Sequence, residues 1–203
     1  MQTLPTLYLI RHGETEWSRT HRHTGRTDIP LTAAGEREAE RITPVLRRRL
    51  AGPEPALVLT SPLQRAARTA ELAGFGDAAQ QDPDLMEWDY GDYEGVTTDE
   101  IKQHRPDWQL FRHGCPGGEQ AADVGRRAAR AVGRIRAVDG DALVFSHGHF
   151  SRVLAACWLG LAPEQGALFT LSTAAISLLG YEHDRSEPVI LNWNDTHHLD
   201  AGR

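Results

Sequence analysis

Leu7-Tyr8-Leu9-Ile10-Arg11-His12-Gly13-Glu14-Thr15 is the stretch on which the reading of the fold turns. Its four leading apolar residues lack the alternation of a half-exposed strand, so they predict a strand covered on both faces, as in the parallel sheets of α/β proteins. Such a strand delivers its last residues to the carboxyl edge of the sheet, where open α/β folds place their ligands. There the imidazole of His12 is a candidate covalent nucleophile toward phosphorus, and the guanidinium of Arg11 offers paired donors to phosphate oxygens. The pentapeptide alone reads equally well as a strand-to-loop junction with solvated side chains, because short motifs recur by chance.

Three further segments tip that balance. Ala56-Leu57-Val58-Leu59-Thr60 predicts a second strand, and Ser61-Pro62 after it predicts a helix with Ser61 as N-cap and Pro62 at its first position. Arg65 then falls in the first turn, where a cation is disfavoured by the helix dipole unless an anion lies between it and the free backbone N–H groups. Ala142-Leu143-Val144-Phe145-Ser146-His147-Gly148-His149 repeats the opening pattern and brings a second histidine to the same edge. Glu87-Trp88-Asp89-Tyr90-Gly91-Asp92-Tyr93-Glu94-Gly95 is an acidic and aromatic loop able to hold one carboxyl group near a leaving atom.

In order and spacing this set resembles the histidine phosphatase superfamily, the phosphoglycerate mutase-like proteins, over nearly the whole chain. The resemblance implies a three-layer α/β/α fold with a mostly parallel central sheet. It implies His12 as the phosphorylated nucleophile, Glu87 as the proton donor, and Arg11, Arg65 and His147 as the phosphate pocket. Gly148, Ser18, Thr24 and Gly25 complete the implied phosphate-binding set, with no cofactor and no metal. Glu87 to Gly95 and Ser146 to Arg152 are most similar to the acid phosphatases of actinobacteria and to fungal sedoheptulose bisphosphatases.

Two departures bear on the activity. Mutases of the family usually carry an Asn after the Trp of the first motif, whereas Ser18 follows Trp17 here. The long insertion that mutases place between their second Arg and the acidic residue is also missing. A mutase must retain its intermediate while it reorients, which asks for extra contacts and a closing lid. The expected function is therefore hydrolysis of small phosphate esters. A cofactor-dependent phosphoglycerate mutase and a non-catalytic phospholigand-binding protein are the alternatives. The assigned roles require His12 unprotonated on its attacking nitrogen, Glu87 protonated and His147 charged, which predicts a bell-shaped pH profile centred on acid to neutral values.

Other residues are weighed against blander readings. His21 with His23, and His147 with His149, form His-x-His pairs, but the Cys-containing zinc patterns and His-Glu-x-x-His are absent. His149 is expected to start a helix or to orient a neighbour. Arg19, Arg22 and Arg26 are a solvated run or a contact for a second anionic group. Trp17, Trp88, Tyr90, Tyr93 and Trp108 are core residues or walls around a leaving group, a setting that suits sugars and polyols. Asp89, Asp92 and Glu94 would disfavour a strongly anionic leaving group. The expected partner is thus a small phosphorylated metabolite such as a sugar or polyol phosphate, with a bisphosphate as a variant.

The length of 203 residues predicts one domain over residues 1–203 with a sizeable core. A net charge of −6 argues against nucleic-acid and membrane-surface partners. Cys115 and Cys157 are too few for a disulfide framework. Neither a signal-type N-terminus nor a membrane-length apolar run is evident, so a cytoplasmic location is expected. A homodimer is compatible with the resemblance, and the sequence carries no interface signal. Helices are expected from Thr32 to about Leu50 with Pro44 dividing or kinking it, from the capping box Thr97-Thr98-Asp99-Glu100 toward His104, from about Glu119 to Ala137 with an apolar face of Ala121, Val124, Ala128, Ala131, Val132 and Ile135, and, after the His147 strand, through Phe150, Val153, Leu154 and Trp158 to Gly160. Later strands are expected at Ala167–Leu171, Ala175–Tyr181 and Val189–Trp193.

Overall fold

The computed structural model describes residues 4–52 and 54–200. The chain runs β1 (Leu7–Arg11), α1 (Glu16–Arg19), α2 (Ala33–Glu40), α3 (Ile42–Arg49), β2 (Leu57–Thr60), α4 (Gln64–Leu72) and β3 (Gln80–Gln81). It continues through α5 (Thr98–His104), α6 (Leu110–His113), α7 (Ala121–Arg136), β4 (Ala142–Ser146), α8 (Gly148–Trp158), β5 (Ile176–Tyr181), β6 (Pro188–Asp195) and α9 (His197–Asp200). The strands form one sheet in the order β3-β2-β4-β1-β5-β6. β3, β2, β4 and β1 are mutually parallel, and β5 and β6 close the far edge antiparallel.

Both faces of the sheet are covered, which is why its central strands read as continuous apolar runs. Leu7, Leu9 and Val144 pack with Val124, Ala128, Val132 and Ile135 of α7 and with Phe150 and Leu154 of α8. Tyr8, Ile10, Leu143 and Phe145 point the other way, onto Ile42, Val45 and Leu46 of α3 and Ala70 of α4. The apolar stripe expected on α7 is the buried one. The architecture is the mostly parallel, three-layer α/β arrangement expected.

Three local expectations are corrected. The helix expected from Thr32 to Leu50 divides at Arg41, three residues before Pro44, because the proline ring lacks an N–H and crowds the carbonyl four residues back, that of Glu40. The helix expected to start at Pro62 starts at Gln64, after Leu63 in extended conformation. Its first amide is satisfied from another loop, by Asp28 Oδ1 at 2.8 Å. Ala167–Leu171 is not a strand: a 3-10 stretch spans Pro163–Leu168, and the Gly166 and Ala167 carbonyls accept from the Arg152 side chain. β5 pairs with β1 on one side and β6 on the other, and Ala167–Leu171 does not join the sheet.

Candidate active site

β1 and β4 are adjacent and in register, Arg11 opposite Ser146, so the residues after them emerge together. The His12 amide donates to the Ser146 carbonyl at 3.0 Å. The His12 and His147 rings meet edge to face, their centroids 5.2 Å apart. His12 is buried, and its Nδ1 lies 2.7 Å from the Gly13 carbonyl. A carbonyl only accepts, so Nδ1 carries the proton and Nε2 keeps its lone pair for attack. Burial, with the charges of Arg65 and Arg11 adding to it, holds the His12 pKa well below the usual histidine range.

His147 contacts Ser61 Oγ through Nε2 at 2.7 Å, while its buried Nδ1 has no hydrogen-bond partner among the described residues. Burial, then Arg65 and His12, also drives its pKa well down. The charged His147 expected from sequence is therefore disfavoured in the free protein, chiefly because the ring is buried and next because Arg65, His12, Arg127 and Arg11 oppose a further positive charge. Ser61, expected as a helix cap, instead accepts from the Leu63 amide at 3.3 Å and positions this imidazole.

Arg65 is fully buried in the first turn of α4. Its terminal nitrogens donate to the carbonyls of Thr27, Thr24 and Gly25, at 3.0, 3.1 and 2.8 Å, and its Nε has no partner among the described residues. Thr24 and Gly25 thus serve through their carbonyls, as the cradle of Arg65; Thr24 also lines the cleft described below. Arg11 donates to the Leu171 carbonyl and likewise keeps a buried, unpartnered Nε. Gly148 lies under it, where an added Cβ would stand 3.3 Å from the guanidinium carbon. The unpartnered nitrogens on Arg11, Arg65 and His147 are what an anion would satisfy. Ser18 lines the cleft, but its hydroxyl donates to the Thr15 carbonyl and accepts from the Thr15 amide in the cap of α1.

Glu87 is held at the amino end of α8. Its Oε1 accepts from the amides of Trp88 and Phe150, each at 2.8 Å, and its Oε2 from the amide of His149 at 3.0 Å. The Glu87 carbonyl accepts from Arg127, whose buried guanidinium also holds the Asp84 and Met86 carbonyls and the Glu119 carboxylate.

His12, Arg11, Glu87 and Gly148 line a cleft of about 260 Å³. Of the basic run past the nucleophile only Arg22 reaches the cleft, and it is tied to the Gly95 carbonyl and to Glu100. Arg19 is an exposed partner of Glu16, and Arg26 pairs with Asp89 and Glu119. Asp89, Asp92 and Glu94 do not line the cleft, which removes the expected bar to an anionic leaving group. The Glu94 carboxylate instead accepts from the Gly25 and Thr27 amides. Sequence reasoning missed Arg152 as a cleft residue. Its signal was the four-residue spacing from Gly148 on one helix face. His23, Tyr90 and His149 also line the cleft, and nothing in their sequence spacing joins the three. Among the described residues no group of three or more His, Cys, Asp or Glu side chains is placed to hold a metal ion.

The comparisons with known proteins meet this geometry. Residues 7–196 match the family model described as histidine phosphatase superfamily (branch 1). The chain is 42% identical to an acid phosphatase of Mycobacterium tuberculosis over 91% of each chain. It is 36% identical to the sedoheptulose 1,7-bisphosphatase of Saccharomyces cerevisiae, over 79% of this chain and 70% of that one. A solved structure of an open reading frame from Mycobacterium tuberculosis superposes with a TM-score of 0.85 at 39% identity, covering 93% of this chain and 96% of the other. On this evidence the chain belongs to the histidine phosphatase superfamily, branch 1.

Proposed function

We propose that this chain is a cytoplasmic, metal-independent phosphomonoesterase that hydrolyses small phosphate esters, sugar or polyol phosphates among them, through a phosphohistidine on His12. It is a phosphoric monoester hydrolase. The observation that carries the reading is the tautomer of His12: Nδ1 is spent on the Gly13 carbonyl, and Nε2 is left for attack on a ring acted on by buried Arg65 and half-buried Arg11.

Hydrolysis of phosphate monoesters is among the slowest uncatalysed reactions, so roughly 20 kcal/mol of barrier reduction is needed. Splitting the reaction in two supplies part of it. In the first step His12 Nε2 bonds to phosphorus as the bond to the leaving oxygen breaks, and protonated Glu87 gives that oxygen its proton. In the second, water attacks phosphorus, the P–N bond breaks, and the Glu87 carboxylate takes the water's proton. Inorganic phosphate leaves, and neutral His12 and protonated Glu87 are restored. Arg11 at the cleft, with Arg65 and His147 buried behind it, would stabilise the oxygens on which charge accumulates, and single preorganised donors of this kind are worth about 3–4 kcal/mol each.

Phosphate release from a panel of sugar phosphates, sugar bisphosphates and phosphoglycerates, in excess EDTA, tests the proposal. Release that survives EDTA and is lost in His12→Ala is expected. Equal release by the variant would remove His12 from the mechanism, and isomerisation of phosphoglycerate outrunning phosphate release would replace hydrolysis by the mutase reaction.

A further inference from the structure

Beside Glu87 the cleft holds two histidines that the chemistry on His12 does not use. His23 lies in the loop past the nucleophile and His149 in the first turn of α8, and both rings line the cleft. They stack at 29° with centroids 6.3 Å apart, and Tyr90 packs against each. Each has its Nδ1 engaged by the protein, so only Nε2 is left for a ligand.

The two engagements are opposite in kind. His23 Nδ1 lies 2.7 Å from the Val96 carbonyl, which can only accept. A neutral His23 therefore carries its proton on Nδ1 and presents Nε2 as an acceptor. His149 Nδ1 lies 2.6 Å from the Tyr90 hydroxyl. That phenol is buried, and no other partner within hydrogen-bonding distance of it is present among the described residues, so its O–H proton goes to His149 Nδ1. A neutral His149 then carries its own proton on Nε2 and presents a donor.

We infer that His23 and His149 form a specificity pair for the leaving group, one imidazole accepting from and the other donating to a hydroxyl on the carbon adjacent to the one that bears the ester oxygen. A hydroxyl is the group that both gives and takes a hydrogen bond, whereas a second phosphate or a carboxylate at neutral pH offers acceptors only and would leave His23 Nε2 facing a lone pair. The position fits, because the backbone amide of His149 holds the carboxyl group of Glu87, which in its protonated form supplies the proton to the departing oxygen. Both rings stay neutral: burial lowers the pKa of each, and Arg152, His23 and Arg11 add to the effect at His149. Burial also holds the Tyr90 phenol well above its usual range, so it keeps the proton it donates. Tyr90 is here a positioning residue that acts by fixing the His149 tautomer.

The inference rests on the phosphatase reading and is tested by a ratio, kcat/KM for glycerol 3-phosphate over kcat/KM for n-propyl phosphate. The wild type is expected to favour the hydroxylated ester. His23→Phe, which keeps a ring against Tyr90, is expected to lower the ratio roughly tenfold, the worth of one good hydrogen bond. His23→Gln, which restores an acceptor, recovers part of it, and Tyr90→Phe lowers it by freeing the His149 tautomer. A wild-type ratio near one, or a ratio that neither His23→Phe nor Tyr90→Phe changes, overturns the pair while leaving hydrolysis through His12 intact. Long-range 1H–15N correlation spectra of the wild-type protein read the tautomers without turnover. Nδ1–H on His23 with Nε2–H on His149 is expected, and the reverse tautomer on either ring overturns the inference even if neither ester is hydrolysed.

Discussion

The hydroxyl of Ser61 links the strand that leads to Arg65 with the one that leads to His147. It accepts from the Leu63 amide and meets His147 Nε2, and without it that imidazole would have no partner on either nitrogen. Ser61→Ala is therefore expected to lower kcat by roughly tenfold with KM little changed, since about 1–1.5 kcal/mol of orientation is lost while the arginines that bind phosphate stay in place. Steady-state kinetics check this, and wild-type turnover in Ser61→Ala would show that His147 needs no orienting partner. Arg65 illustrates a different economy. Three carbonyls from one loop fix its guanidinium fork, so a lysine, with a single point of charge, cannot replace it. Arg65→Lys is expected to raise KM for any phosphate ester and to lower kcat, read in the same assay.

At the scale of elements, the buried side chain that joins α7 to the Glu87 loop is Arg127, while Arg130 and Arg134 pair with Asp84 and Asp82 at the surface. Arg127 spends every donor of its guanidinium on that loop and on Glu119, and Glu119 in turn accepts from the Asp89 amide and, through its carbonyl, from the Trp88 indole. Removing a buried partner of this kind leaves a carboxylate and several carbonyls without donors, which costs about 3–5 kcal/mol. Arg127→Met should therefore lower the unfolding free energy from urea titration by that much, moving the midpoint down, and lower activity through displaced Glu87. An unchanged midpoint would mean that the loop is held by its apolar contacts instead. A close backbone approach fixes the other side of the site: a Cβ on Gly35, in the first turn of α2, would stand 2.1 Å from the Glu14 carbonyl. The loop after His12 can sit that close to α2 because both Gly13 and Gly35 lack side chains.

For the whole molecule four histidines bear on the response to pH: His12, His23 and His149 on the cleft wall, and His147 packed against His12. Burial lowers the pKa of His12, His23, His147 and His149 below the usual histidine value near 6.5, so the unfolded chain takes up protons before the folded one does. Stability then rises with pH through the window between each folded pKa and 6.5, is complete above 6.5, and is lost as the pH falls below it. Each such group contributes up to about 1.4 kcal/mol per pH unit in that window. Thermal melts are expected to show Tm dropping steeply from pH 7 to pH 5, with a shallower slope in His23→Phe, which removes one of the four groups. A Tm independent of pH over that range would contradict the assignment of neutral, buried imidazoles. The same shift leaves the His12 lone pair available in mildly acidic solution, so the acid limb of kcat/KM is expected to lie below pH 6.5. None of the helices among the described residues is long and apolar enough to cross a membrane.

Of the residues proposed to carry the chemistry, His12 and His147 were legible in the sequence because they follow unbroken apolar strands, and a buried parallel strand has one place to deliver what comes after it. β1, β4, the α7 stripe and the capping box of α5 follow from local pattern alone. What local pattern cannot carry is the choice among partners distant in the chain. Ser61 read as a helix cap because its local neighbours fit one, yet His147, 86 residues away, takes its hydroxyl. Thr24 and Gly25 read as ligand contacts, and the fold turns their carbonyls to Arg65. Asp89 and Glu94 read as a negative field on the substrate, and are drawn off by Arg26 and by backbone amides. Sequence by itself determined the strand-borne histidines, the two arginines and the layered architecture. Tertiary structure decided the direction in which His12, His23, His147 and His149 are shifted, and the nitrogen each has free, because both are set by groups that only folding brings within reach.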